Sequence, residues 1–559
     1  MRLRVDRTGM KNVNQKHSEN AAKKISGEQP LRVNRDSLTP LSLLERTVRV
    51  FSGKTALVYG DERWSYDRFA EEVGRLSGAL VRSGIEPGDR VAFLAPNVPA
   101  LLVAHFSVLR IRAVLVAINP LLTPDEVGSI LNHSGAKIVF VDPELSGKVV
   151  GGSEPLVHAP ILVNVEDPVA GVNGHPLDGP GFAEFLDGAS VLPISSEIDD
   201  EESLTSINYT SGTTGQPKGV MYTHRSTYLS TLGMMIVHGL DRDSVFLWTL
   251  PLFHSNGWCF PWAVTGAGGT HVMLRSVDPA DILRLVESER VTHFNGSPAM
   301  LLMIAEHPDA AGVRFDPEVR VATGGSPPSP TLLECMDTMG VRLTHLYGLT
   351  ETVGPSVYCQ MQPEWEDLDV EARSRVMSRQ GVPYHVGVHL RVVDEKMCDV
   401  TADGETLGEI VIRGDSIMKG YYNNPEATAE AFRGGWFHTG DIGVVHSDSY
   451  IEVRDRKVDI IVSNGKYIST IEIEHTIVKH SAVLECAVVS MPDEEFGEIP
   501  KAFVSLRPGS EVTDTELIAY CHESLSDLKC PKAVAFGELP KTSTGKIKKF
   551  QLRKQEWRE

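Results

Sequence analysis

From about residue 41 onward the chain alternates two apolar patterns. Residues spaced three and four apart predict helices over 42–51 and 65–83. Short unbroken apolar runs predict strands over 55–59, 90–94, 138–141 and 160–163. Such alternation is the signature of an α/β fold. The longest apolar stretch, 101–118, is interrupted by His105, Arg110 and Arg112. Charges at those positions make it a poor bilayer span, and it reads as a core helix running into a strand. Residues 151–179, rich in Gly, Pro and polar side chains, read as a surface connection. Nearer the C-terminus, strands over 484–490 and 502–506 and helices over 469–479 and 514–525 form an α+β pattern.

Composition narrows the class. A chain of 559 residues exceeds the ~250–300 at which one core stops growing, so it divides into two or more domains. Its formal charge of −20 argues against general nucleic-acid or anionic-membrane affinity. Seven cysteines make no CxxC pair and no metal-like spacing with His, which points to reduced thiols and a cytoplasmic setting. The first ~35 residues are polar and basic, without the apolar core of a secretory signal. They read as a disordered tail over 1–38, with an organelle transit peptide as the alternative. The last four residues, Glu556-Trp557-Arg558-Glu559, do not spell a Ser-Lys-Leu-type peroxisomal address.

The chemistry concentrates in Tyr209-Thr210-Ser211-Gly212-Thr213-Thr214-Gly215-Gln216-Pro217-Lys218-Gly219-Val220, between a strand over 204–208 and a helix beginning near His224. Hydroxyls and unobstructed backbone N–H groups can wrap an anionic oxygen, as a triphosphate requires. Lys218 is followed by Gly219, so no hydroxyl stands where the P-loop of NTPases places its magnesium ligand. The string instead resembles the phosphate loop of the adenylate-forming superfamily: acyl-CoA synthetases, aryl-CoA ligases, luciferases and peptide-synthetase adenylation domains.

That resemblance extends, in family order, over about 40–553. It implies a large multi-subdomain N-terminal domain (39–455) with the phosphate loop, acyl and adenine sites, and a small mobile α+β C-terminal domain (456–559). The segment containing Phe253, His254, Ser255, Asn256, Gly257 and Trp258 is similar to the one lining the acyl site, where His254 would border the channel to the reaction centre. Phe253-His254 offers no carboxylate for an amino acid's ammonium, so an unsubstituted acid is favoured. Trp258 and Met300 suggest a pocket of limited size. Gly296 and Thr323-Gly324-Gly325-Ser326 lie in turns where glycine lets a ligand approach the backbone. The segment from Tyr347 and Gly348 to Thr350 and Glu351 resembles the family's YGxTE motif. There Tyr347 would stack on adenine, Thr350 would bond the α-phosphate and Glu351 would hold Mg²⁺. By the same resemblance Asp441 and Arg456 would hold the ribose, and Gly465 would flank the pantetheine tunnel. Lys546, in the final Pro-Lys-Thr-Ser-Thr-Gly-Lys-Ile stretch, would enter the active site during adenylation.

Two positions depart from the family pattern. Val458 replaces the usual Asp or Lys of the hinge, and Asn464 replaces the first tunnel-loop glycine, a position Asn tolerates because it accepts positive φ. The implied reaction uses ATP, Mg²⁺ and coenzyme A to turn a short- to medium-chain fatty or related acid into its thioester through an acyl-adenylate. Two other readings are an adenylate former with another acceptor, carrier protein or oxygen, and a non-catalytic nucleotide-binding regulator.

Overall fold

The computed structural model describes residues 36–171, 174–210, 217–325, 327–541 and 547–557. Nearly all of the expected tail over 1–38 therefore lies outside the described residues. Two large sheets organise the chain. One has seven strands in the spatial order Ile161–Asn164, Ile138–Val141, Arg90–Leu94, Val114–Ala117, Leu204–Thr210, Lys218–Thr223 and Gly420–Tyr421. Its first five strands are parallel, and the last two join antiparallel. The other has nine strands, from Glu62–Ser65 at one edge to Val382–Pro383 at the other, with a parallel centre that includes His293–Gly296, Val319–Gly324 and Val341–Leu349.

Local sequence explains the elements. Parallel strands covered on both faces read as unbroken apolar runs, and Ile138–Val141 is buried at all four positions. The helix Tyr66–Arg82 starts where the Ser65 side chain accepts the Arg68 N–H. The helix Pro124–Ser134 opens with a reciprocal Thr123/Glu126 capping box and stops at Gly135, whose φ of 60° suits glycine. The stretch 101–118 divides as expected, into the helix Pro99–Arg110 and the strand Val114–Ala117. One main core, with Phe69, Phe93, Phe106, Trp248 and Trp262, joins residues from both large sheets. No helix among the described residues is long and apolar enough to cross a membrane.

A four-stranded antiparallel sheet, His389–Val393 to Ile451–Arg456, completes the larger part. The remaining strands, Ile461–Ser463, Lys466–Ile468, Val483–Asp493, Gly497–Leu506 and Ala533–Phe536, make a fourth sheet. Ile473, Ile477, Val488, Val504 and Leu517 give it a core of its own, which defines a smaller C-terminal domain. The seam with the larger part is polar. Asp455 Oδ2 accepts from the Thr470 backbone N–H at 2.5 Å and its hydroxyl at 2.7 Å, and Lys549 Nζ reaches Thr470 Oγ1 at 2.8 Å and Glu474 Oε1 at 2.7 Å.

A partly buried ion cluster ties the two large sheets together. Arg275, just beyond Thr270–Val272, pairs with Asp142 at 2.7 Å, Asp167 at 3.1 Å and Glu144 at 2.5 Å. Both aspartates lie just past strands of the seven-stranded sheet, and both are buried. Removing one partner of a buried pair leaves an uncompensated charge, at a cost of about 3–5 kcal/mol. Arg275→Met is therefore expected to lower the melting temperature of the larger domain by several degrees, whereas the exposed Arg284→Met leaves it unchanged; differential scanning calorimetry of both chains checks this.

Candidate active site

Of the residues singled out from the sequence, Thr210, Gly296, Thr323, Gly324 and Tyr347 lie at the C-terminal ends of strands with parallel neighbours, where open α/β sheets place their ligands. Leu204–Thr210 and Lys218–Thr223 are antiparallel, with Thr210 opposite Lys218. The glycine- and hydroxyl-rich segment is thus the connection of a hairpin, and a second strand, rather than loop alone, separates it from the helix His224–His238. Ser211, Gly212, Thr213, Thr214 and Gly215 lie outside the described residues, as do Ser326 and Lys546. Alternation along the first strand puts Ser206, Asn208 and Thr210 on one face.

The strand Val341–Leu349 delivers Tyr347 and Gly348, then turns sharply through Thr350–Thr352. Thr350 is where three segments meet. Its carbonyl accepts from the Tyr222 hydroxyl at 2.7 Å, and the Ser255 hydroxyl donates to its Oγ1 at 3.2 Å. The Glu351 carbonyl accepts from the Met418 N–H at 2.9 Å, and its Oε1 accepts from the Tyr421 hydroxyl at 2.9 Å. Lys218 Nζ stands 4.9 Å over the Tyr421 ring. Nearby, Asp441 takes the Tyr347 hydroxyl on Oδ2 at 2.6 Å and Arg456 Nε on Oδ1 at 2.7 Å. Burial first, and the Asp441 charge second, push the Tyr347 hydroxyl well above its ordinary value, so it remains a donor.

The segment after His254 has an unusual backbone. Ser255, Asn256, Gly257, Trp258 and Cys259 all have φ between 48° and 64°. Left-handed turns of L-residues cost ~1–2 kcal/mol per residue and persist only where surrounding contacts enforce them. Here the enforcement is visible. A side-chain carbon on Gly257 would meet the Trp248 ring at 2.6 Å, and Asn256 Nδ2 donates to Ser206 Oγ at 2.6 Å. Asn256 is fully buried, and its Nδ2 fastens the turn to the strand Leu204–Thr210. The turn sets Trp258 over two glycines: a side-chain carbon on Gly324 would lie 3.5 Å from its indole, and one on Gly354 would lie 3.3 Å from its Cα. Met300 closes on Gly296 in the same way, its Cε 2.4 Å from where a side-chain carbon would stand. Thr323, opposite Gly296 in the ladder, is fully buried with no partner for its hydroxyl among the described residues. Gly465 is elsewhere, at the exposed tip of the hairpin Ile461–Ile468 in the fourth sheet, with φ of 71° beside Asn464 at 48°.

The sequence singles out none of Tyr222, Ser206 or Tyr421, and Ser255 only as part of the acyl-site segment. The only signal for Tyr421 was its place in a Gly-Tyr-Tyr-Asn-Asn-Pro stretch, which reads as turn punctuation.

The AMP-binding enzyme family matches residues 44–422, and the AMP-binding enzyme C-terminal domain matches 472–546. The chain belongs to the AMP-binding enzyme family. Among curated relatives, 4-hydroxybutyrate–CoA ligase 2 of Metallosphaera sedula is 40% identical over 92% of this chain and 94% of its own. Acetate/butyrate–CoA ligase AAE7, peroxisomal, of Arabidopsis thaliana is 39% identical over 93% and 95%. Among solved structures, ATP-bound MatB from Rhodopseudomonas palustris superposes with a TM-score of 0.79 at 25% identity, covering 92% of this chain and 98% of that one. This member of the family is an AMP-forming acid–thiol ligase, and its cofactors are ATP, Mg²⁺ and coenzyme A.

The residues present suit those groups. Glu351 is a hard carboxylate with one oxygen tied to Tyr421, which leaves the other for a hard cation. Asp441 is an acceptor-only group matched to ribose hydroxyls. Tyr347→Phe removes one charge-assisted hydrogen bond while Arg456 keeps its own, so the fold is expected to survive. Such a bond contributes about 1.5–3 kcal/mol to the unliganded fold, so a melting temperature lowered by a few degrees is expected. Weaker ATP binding by titration calorimetry is expected with it, because Asp441 loses one of the groups that orient it.

Proposed function

We propose that this ligase activates short- to medium-chain carboxylic acids, with the short, unsubstituted ones preferred. One observation carries this reading: Trp258 and Met300 close directly over Gly324 and Gly296, which shortens the space at the strand ends. The sequence around His254 also supplies no carboxylate for an amino acid's ammonium, which would be costly to desolvate alone. Relatives named for acetate, butyrate, 4-hydroxybutyrate and 2-methylpropanoate support the same size range.

In this reading the carboxylate attacks the α-phosphate of ATP, pyrophosphate leaves, and the CoA thiol displaces AMP from the acyl-adenylate. The first step brings two anions together, so preorganised positive charge governs its barrier. Thr210 and Lys218 flank the hairpin that grips the phosphates, Thr350 bonds the α-phosphate, and Tyr347, Asp441 and Arg456 fix the nucleoside. Bound Mg²⁺ neutralises phosphate charge against Glu351. Lys546 enters between carboxylate and α-phosphate, while His254 borders the acyl channel. The domain break expected from the sequence is 455/456, and the strand Ile451–Arg456 supports placing it just after Arg456. The C-terminal domain rotates about the exposed Val458, first delivering Lys546 and then bringing the Gly465 hairpin alongside the pantetheine path. Free thiols at all seven cysteines suit a reducing compartment, the cytoplasm in the simplest case.

Two experiments test the reading. Across short, medium-chain, branched, sulfur-containing and aromatic acids, CoA-dependent AMP release is expected to peak for unbranched short ones; a maximum at bulky aromatic acids would contradict the pocket assignment. Lys546→Ala is expected to lose at least ~10²-fold in adenylate formation yet keep thioester formation from supplied acyl-AMP, and an equal loss in both half-reactions would contradict the role of Lys546.

A further inference from the structure

Tyr421 touches two of the residues that the phosphate chemistry depends on, although they stand far apart in sequence. Its placement is firm. The two-residue strand Gly420–Tyr421 closes the edge of the seven-stranded sheet beside Lys218–Thr223, with Tyr421 opposite Val220. The Tyr421 N–H donates to Thr428 Oγ1 at 2.9 Å, and the Tyr422 N–H donates to the Gly219 carbonyl at 2.7 Å. Gly420 has a φ of 145° and packs so closely that a side-chain carbon would meet Thr428 Cγ2 at 2.7 Å. The ring is held on both sides of the contact that matters and is only 8% exposed.

From this position one side chain acts through two different parts. Its face lies under the Lys218 ammonium, a geometry in which the ring quadrupole attracts a cation. Its edge presents the hydroxyl to Glu351 Oε1. Burial first, and the Glu351 charge second, raise that hydroxyl far above its ordinary value, so it stays a donor at any working pH. The same segment grips Glu351 again, through the Met418 N–H on its backbone carbonyl. Lys218 belongs to the hairpin of one large sheet and Glu351 to a turn of the other. Tyr421 thus spans the gap between them.

We propose that Tyr421 is a positioning residue that holds the Glu351 carboxylate and the Lys218 ammonium at a fixed separation, matched to a metal-bound triphosphate. The proposal rests on the reading of Glu351 as the Mg²⁺ ligand and Lys218 as a phosphate contact. Outer partners that orient a ligating carboxylate are typically worth 10–100-fold in metal affinity or activity.

The test separates the two contacts. Tyr421→Phe keeps the ring under Lys218 and deletes only the hydroxyl; Tyr421→Leu deletes both. Binding of ATP with and without metal is measured by titration calorimetry, and bound Mn²⁺, standing in for Mg²⁺, by electron paramagnetic resonance in the presence of ATP. Melting temperature controls for folding. Tyr421→Phe is expected to weaken Mn²⁺ binding about 10–100-fold with metal-free ATP affinity within about twofold of the parent, and Tyr421→Leu to weaken both. A Tyr421→Phe chain with unchanged Mn²⁺ affinity, or one that loses metal-free and metal-bound ATP equally, overturns the proposal. Glu351→Gln in the same assay locates the failure. If it too binds Mn²⁺ normally, the ligand assignment beneath the proposal has failed; if it alone loses Mn²⁺, only the role of Tyr421 has.

Discussion

A strongly acidic chain that binds a nucleoside triphosphate must meet the ligand's charge locally, because the summed field opposes it. That constraint explains why donors and cations from distant segments converge on one small region. Lys218 comes from the hairpin of the seven-stranded sheet, Tyr347, Thr350 and Glu351 from the nine-stranded sheet, and Asp441 and Arg456 from adjacent strands of the third. In the proposed reading the cation for phosphate and the acceptor for ribose come from different sheets. Their mutual placement is therefore the structural basis of the chemistry, and the Arg275 cluster and shared aromatic core are what fix it.

The same logic accounts for the left-handed turn at 255–259. A five-residue run at positive φ is unfavourable in isolation, yet it is pinned at one end by Ser255 on Thr350 and within by Asn256 on Ser206. The strain is held by the surrounding contacts, and its result is that Trp258 stands against Gly324 and Gly354. The turn that aims Trp258 also touches Thr350, so in the proposed reading substrate size and nucleotide grip are coupled.

Much of this was legible in the residues. Strands at 55–59, 90–94 and 138–141 coincide with the structure because fully covered parallel strands are continuous apolar runs, and the motif order along the chain carried the family. Other features depend on pairings that sequence does not display. Lys218–Thr223 alternates too weakly to stand out from the loop before it, yet its pairing with Leu204–Thr210 makes it a strand. The strands between 389 and 456 are half-exposed and antiparallel, with little unbroken apolar character. The bond from Asn256 to Ser206 is set by the left-handed turn, which the sequence does not display. Tyr421 was hidden because its importance lies in contacts with Glu351, 70 residues away, and with Lys218, farther still.

The account's central claim is that one nucleotide sits across all three sheets, phosphates at the 210–218 hairpin and ribose at Asp441. A crystal structure with ATP and Mg²⁺ bound tests this most directly. The account predicts ribose hydroxyls within hydrogen-bonding distance of Asp441, the metal on Glu351, and the triphosphate inside the hairpin. Ribose density away from Asp441, or a metal bound without Glu351, would contradict it.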